Sequence, residues 1–194
     1  MKSVLISIQP KWCELIASGK KTVEVRKTRP KIDVPFKCYI YQTKLRWVYT
    51  LLHALGYYDI ARRLARGIGK VIGEFVCRNI YDIECCSDDH NYFSKNGTCL
   101  TVDEIIGYCN GKELYGWEIS DLVIYDKPKE LSEFYTVCKL NCEYCEMWGS
   151  VRVNAEEFDM DCKSDWFNHK PLKRPPQSWC YVDHPTEKGG VSDA

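Results

Sequence analysis

The densest chemistry in this sequence lies in Gly19-Lys20-Lys21-Thr22-Val23-Glu24-Val25-Arg26-Lys27. Extended backbone alternates its side chains, so Val23 and Val25 point one way while Thr22, Glu24 and Arg26 point the other. A carboxylate and a guanidinium then stand side by side, with Lys21 at the turn that launches them. Lys21 and Arg26 suit a phosphate, and Glu24 can accept a hydrogen bond from a base. A half-buried strand with a solvated polar face gives the same pattern, and a Glu24–Arg26 ion pair that only stabilises the strand is the competing account.

A second cluster is Cys138-Lys139-Leu140-Asn141-Cys142-Glu143-Tyr144-Cys145. Thiolates in this C-x3-C-x2-C spacing on a turn can converge on one metal. Cys162 is the best-placed fourth ligand of a tetrahedral, four-thiolate zinc site of the structural kind. Reduced cysteines in a surface insertion are the plainer reading. Cys85-Cys86 read as ordinary thiols. The four histidines, His53, His90, His169 and His184, are scattered, with His169 the one that can replace a cysteine ligand.

These residues need elements to hold them. Ser3 to Ile8 alternates and is rich in β-branched residues, which predicts a first strand. Pro10 opens a helix running to Ser18 with an apolar stripe of Trp12, Leu15 and Ile16, and Gly19 stops it. The strand bearing Glu24 and Arg26 follows, and Cys38 to Gln42 reads as another. Residues 46–66 carry leucines at broadly helical spacing and end in Arg62, Arg63 and Arg66, so 44–68 reads as a helical insertion. Gly69 to Cys77 and Gly116 to Tyr125 predict strands, with a helix from Val102 to Cys109 capped by Thr101 between them. Residues 136–173 form the cysteine-rich insertion, 175–182 a closing strand, and 184–194 a frayed, polar tail.

In this setting the string Gly19, Lys21, Glu24, Arg26 resembles the G-x-K-x-x-E-x-R signature of ASCH domains, small β-barrels of the PUA-like superfamily. The order of strand, proline-initiated helix and signature is similar to that of short ASCH proteins of phages and prophages. The resemblance implies an α+β fold over residues 1–183: one PUA-like barrel with helices at its side. It also implies a cleft at the signature strand that binds RNA or a modified nucleotide. Lys21, Thr22, Glu24, Arg26 and Lys27 would line that cleft, with Tyr41, Trp117 or Trp179 as a ring on which a base stacks; each of these rings taken singly is better suited to a core.

The resemblance carries an enzymatic alternative as well. Some small ASCH proteins are amidohydrolases of acetylated cytidine, with a lysine at the position of Lys21 and a threonine nucleophile where this chain has Glu24. A carboxylate does not replace a hydroxyl in that chemistry. The acid expected before the later helix is also missing from Asn96-Gly97-Thr98-Cys99. Other ASCH proteins cleave RNA, a route in which Lys21 would stabilise phosphorane charge and Glu24 would be its catalytic partner. A third reading is a phage-type module whose insertions bind a host protein. The C-x3-C-x2-C spacing also resembles the iron–sulfur motif of radical-SAM enzymes, which normally sits in a much larger barrel.

Composition bounds these readings. The 194 residues balance 27 basic against 27 acidic side chains, which argues against indiscriminate polyanion binding. The charge is uneven: residues 1–31 hold eight basic side chains against two acidic ones, and 44–70 hold six against one. A local phosphate-binding face and a solvated basic face both fit. No apolar run approaches the roughly 20 residues that span a bilayer. With no export signal, the twelve cysteines are expected to be reduced thiols in a cytoplasmic protein.

Overall fold

Strand β1, Ser3–Ile8, is buried along its whole length because both of its faces are covered. In the computed structural model, which describes residues 3–44, 50–51, 53–59, 67–83, 97–137 and 171–183, β1 is central in a six-stranded sheet ordered β7-β4-β3-β1-β9-β8. Its partners are β3 (Phe36–Gln42), β4 (Val71–Cys77), β7 (Ser120–Lys129), β8 (Tyr135–Thr136) and β9 (Trp179–Asp183). Among the described residues only β1 and β3 pair in parallel; the other ladders of this sheet are antiparallel. A parallel pair needs a crossover, and here helix α1 (Pro10–Ala17) and strand β2 (Val23–Arg26) supply it. That crossover is the segment that carries Lys21, Glu24 and Arg26.

A second sheet has the order β2-β6-β5, with β6 spanning Leu114–Glu118 and β5 Ile80–Ile83. The sequence reads Gly116 to Tyr125 as one strand; the chain divides it at Ile119, whose N–H donates to the Thr22 carbonyl at 2.9 Å. The polypeptide thus leaves the small sheet as β6 and enters the large one as β7. The α+β expectation holds. Among the described residues the strands group into two sheets rather than one continuous hydrogen-bonded ring.

Alternation along the strands fills two layers. Val4, Ile6 and Ile8 of β1, Cys38 and Ile40 of β3, Phe75 of β4 and Trp117 of β6 share one core. Leu5, Tyr39, Tyr41, Val71, Phe134 and Val182 make another on the opposite face of the large sheet. A third, smaller core joins Val25 and Leu114 to helix α2 (Val102–Cys109) through Ile105 and Cys109. The expected Thr101 cap is present as a full capping box with Glu104, an arrangement that satisfies two otherwise orphaned N–H groups.

Two expectations need correction. Trp117 is fully buried, packed edge-on against Phe36 with ring centroids 5.9 Å apart. Tyr41 is 2% exposed and sits in the core on the far face of the large sheet. Neither ring has a free face for a base, because period-two alternation points both into packed layers. The expectation of uniformly reduced thiols also fails at one position, since Cys109 is disulfide-bonded. Cys13, Cys38, Cys77, Cys99 and Cys180 are free.

Cys138, Cys142, Cys145, Cys162 and His169 lie outside the described residues, as does most of the second half of the helical insertion. Within that insertion, Leu51 and Leu55, read from sequence as part of an apolar stripe, are exposed. Among the described residues no group of three or more His, Cys, Asp or Glu side chains is arranged to hold a metal, and no helix is long and apolar enough to cross a membrane.

Candidate functional site

Helix α1 ends in a left-handed turn at Gly19, with φ +72°. The N–H groups of Lys20 and Lys21 both donate back to the Leu15 carbonyl, at 2.9 and 3.0 Å, which satisfies an otherwise orphaned acceptor of the helix end. The next two N–H groups, of Thr22 and Val23, donate to the Gly97 carbonyl at 2.8 and 3.0 Å. Lys21 is thereby held between the end of α1 and the 97–99 loop.

Its side chain is 2% exposed. The Lys21 ammonium donates to the Thr98 carbonyl at 2.6 Å and lies 3.4 Å from Glu24 Oε2. The other carboxylate oxygen, Oε1, is 2.9 Å from Arg26 Nη2. That same nitrogen donates to the Ser7 carbonyl at 2.7 Å, while Nη1 reaches Ser178 Oγ at 3.5 Å. Arg26 Nε is buried and has no hydrogen-bond partner among the described residues. The polar face of β2 is therefore not a solvated surface: Glu24 and Arg26 are 6% and 7% exposed.

One carboxylate serves two cations, so with Lys21 protonated the cluster carries an excess positive charge away from water. Carbonyl oxygens of Thr98 and Ser7 offset part of the cost, since buried charge is tolerated only when paired and hydrogen-bonded. Burial draws the Lys21 pKa below the ordinary lysine value; the attraction of Glu24 opposes that shift. The Trp12 ring of α1 flanks the ammonium, with its centroid 5.2 Å from Nζ.

The remaining sequence-predicted residues divide. Thr22 is exposed beside the cluster and contributes its backbone to the frame. Lys27 is half-buried, with its ammonium 4.8 Å from the Tyr108 ring centroid. Trp179 is half-buried next to Ser178; its indole N–H donates to Thr28 Oγ1 at 2.9 Å and its ring packs on Trp117 and Tyr181. Sequence reasoning missed Ser7, Thr98 and Ser178 as neighbours of the cluster. Ser7 and Thr98 contribute through backbone carbonyls, which no side-chain pattern reports.

The 97–99 loop gives a direct test of this frame. Gly97 has φ +75°, and a Cβ built there would lie 1.9 Å from Thr22 Oγ1. Gly97→Ala is expected to cost at least about 1–2 kcal/mol from the left-handed backbone alone, with the Thr22 clash added. Chemical denaturation measures the loss, and a variant as stable as the parent would contradict the described contact.

A family model for the ASCH domain matches residues 6–160. The chain belongs to the ASCH domain family. Among solved structures it is similar to a point-mutant form of an ASCH protein from Zymomonas mobilis, at 18% identity and a TM-score of 0.52, covering 92% of this chain and 87% of that one. Another crystal structure of an ASCH protein from Zymomonas mobilis also matches, at 18% identity and a TM-score of 0.46, over 92% of this chain and 86% of that one. At such identity the first likeness bears on the fold alone. No curated protein matches the chain. ASCH domains are PUA-like modules that generally bind RNA, and in this ASCH domain Gly19, Lys21, Glu24 and Arg26 form the turn and the buried cluster described above.

Proposed function

We propose that this ASCH domain binds RNA or a modified nucleotide at the Lys21–Glu24–Arg26 cluster. The observation that carries the reading is the charge balance of the cluster: two buried cations, one carboxylate, and an Arg26 Nε donor left over. Such a site gains from an incoming acceptor or anion, because a buried donor without a partner and an uncompensated cation are both costly. A phosphate meets the cations, and the carboxylate of Glu24 can accept from an exocyclic amine of a base. Titration of a labelled single-stranded RNA at low and at physiological salt tests this. Saturable binding that weakens with salt and depends on Lys21 supports it; binding indifferent to Lys21 and Arg26 overturns it.

A second reading is favoured by one feature. A lysine whose pKa is lowered and which stands 3.4 Å from a carboxylate is suited to general acid–base work. In an RNA-directed hydrolase, Lys21 and Glu24 would form the catalytic pair in the same cleft. The acetylcytidine amidohydrolase mechanism is the less suited version, since Glu24 occupies its nucleophile position. A structural zinc on Cys138, Cys142, Cys145 and Cys162 also belongs to this proposal and rests on the C-x3-C-x2-C spacing. Metal analysis of purified protein is expected to return about one zinc per chain; folded protein free of zinc would remove it.

A further inference from the structure

Helix α1 is anchored on the large sheet by the buried side chains of Pro10, Cys13 and Ile16. Trp12 lies in its first turn, where its backbone N–H donates to the Gln9 carbonyl at 2.9 Å. The ring is half-buried and packs at the margin of the core that holds Trp117. Trp117 stands opposite Glu24 in the β2–β6 ladder, and directly opposed residues share a face of their sheet. Trp12 thus packs on the side of β2 that carries Glu24 and Arg26.

Two ammonium groups stand within cation–π range of this ring, and they differ in exposure. Lys21 Nζ, 5.2 Å from the ring centroid, belongs to a side chain 2% exposed, whereas Lys11 Nζ, 4.2 Å from it, belongs to one 62% exposed. The ring stands where the buried cluster meets solvent. Lys11 is paired there with Glu104 of α2 at 3.1 Å. An ion pair this exposed is weakly held, because water screens it and two long side chains must be ordered to make it. Stacking of a base on an aromatic ring is the stronger interaction. The Lys11–Glu104 pair is therefore a neutral cover that a base can displace from the ring, while Lys21, tied to Thr98 and Glu24, stays.

We infer that Trp12 is the surface on which a nucleobase stacks, in place of the Lys11 ammonium and beside the nucleotide held by the Lys21–Glu24–Arg26 cluster. This rests on the RNA reading given above and narrows it to a single strand with unpaired bases. Trp12 becomes a specificity-determining residue that distinguishes bases from bare sugar-phosphate, whereas Lys21 and Arg26 respond to charge.

The experiment compares two labelled single-stranded RNAs of equal length, one with all its bases and one with abasic positions throughout its centre. Affinities are measured for the wild-type chain, Trp12→Phe and Trp12→Leu, with thermal unfolding confirming each fold. Trp12→Leu keeps apolar bulk on the core and removes the π face. It is expected to weaken binding of the complete RNA by roughly 5- to 150-fold and to leave the abasic RNA, which keeps its phosphates, within about 2-fold. Trp12→Phe retains a ring and is expected to bind the complete RNA more tightly than Trp12→Leu does. In the wild type itself, photo-crosslinking of an iodouridine-substituted RNA is expected to attach to the peptide containing Trp12, a readout that needs no variant to fold. Equal losses on both RNAs, which would report a disturbed Lys21, no loss on either, a Phe variant as weak as the Leu variant, or a crosslink mapped elsewhere would overturn the assignment while leaving the RNA reading standing. Wild-type protein that binds neither RNA would overturn the reading itself and the assignment with it.

Discussion

Glu24→Ala is expected to destabilise this protein more than removal of either cation beside it, by about 3–5 kcal/mol. The asymmetry follows from the sharing of one carboxylate. Without Glu24, two buried cations face each other with only carbonyl oxygens to compensate them. Without Lys21, Glu24 keeps its 2.9 Å contact to Arg26; the main loss is a donor to the Thr98 carbonyl, about 1–3 kcal/mol. Without Arg26, Glu24 keeps Lys21. In a chain of 194 residues, each kcal/mol shifts the unfolding midpoint by roughly 2–4 °C, so the Glu24 variant should melt on the order of 10 °C lower. Glu24→Gln keeps the shape and removes the charge, and it is expected to show much of the same loss. Thermal and chemical unfolding of Glu24→Ala, Glu24→Gln, Lys21→Met and Arg26→Met test the order; a Glu24→Gln variant more stable than Lys21→Met would contradict it.

Lys21→Met should weaken RNA binding roughly 10- to 150-fold, the range of a lost charge-assisted hydrogen bond, in protein that remains folded. The pH dependence follows from the direction of its pKa shift. Burial lowers the value in the folded chain relative to the unfolded one, so the proton leaves Lys21 at a pH below the ordinary lysine range. Affinity for an anionic ligand is then expected to fall on the alkaline side earlier than an ordinary lysine would allow. Lys21→Arg, which keeps its proton, should erase that alkaline limb. Stability moves the other way in the same window: between the lowered value and the ordinary one the unfolded chain binds more protons, so folding is favoured as pH rises. Anisotropy titrations across pH for wild type and Lys21→Arg check the first effect. An alkaline limb that survives in Lys21→Arg would assign it to another group.

The fold was largely legible because its strands obey simple alternation and its two described helices carry explicit stops. Pro10 and Gly19 bracket α1, and Thr101 marks the start of α2 as read from sequence. Less legible was which side of a strand faces what. Glu24 and Arg26 look like a solvated polar face, yet β2 is covered on both sides: Val25 packs on α2, and the charged face turns inward against Ser7, Thr98 and Ser178. Only the crossover between parallel β1 and β3 creates that second cover, and topology is not encoded in the local pattern. The aromatic assignments failed for the same reason. Tyr41 and Trp117 alternate into packed layers, whereas the Trp12 ring, read from sequence only as part of an apolar stripe, is the one that flanks the Lys21 ammonium among the described contacts. The break at Ile119 came from a hydrogen bond to Thr22, far away in the sequence and invisible to propensity.

The central claim is that the Lys21–Glu24–Arg26 cluster holds a nucleic-acid ligand. The most direct test is a mass-spectrometric survey of the RNA and nucleosides that co-purify with the wild-type chain and with Lys21→Met, each sampled before and after incubation. Ligand retained by the wild type and lost from the variant is the predicted result. Unaltered ligand would establish binding alone, and a new product formed only by the wild type would establish the hydrolase reading at the same site. An identical set of nucleic acids in both proteins, or none in either, would contradict the account.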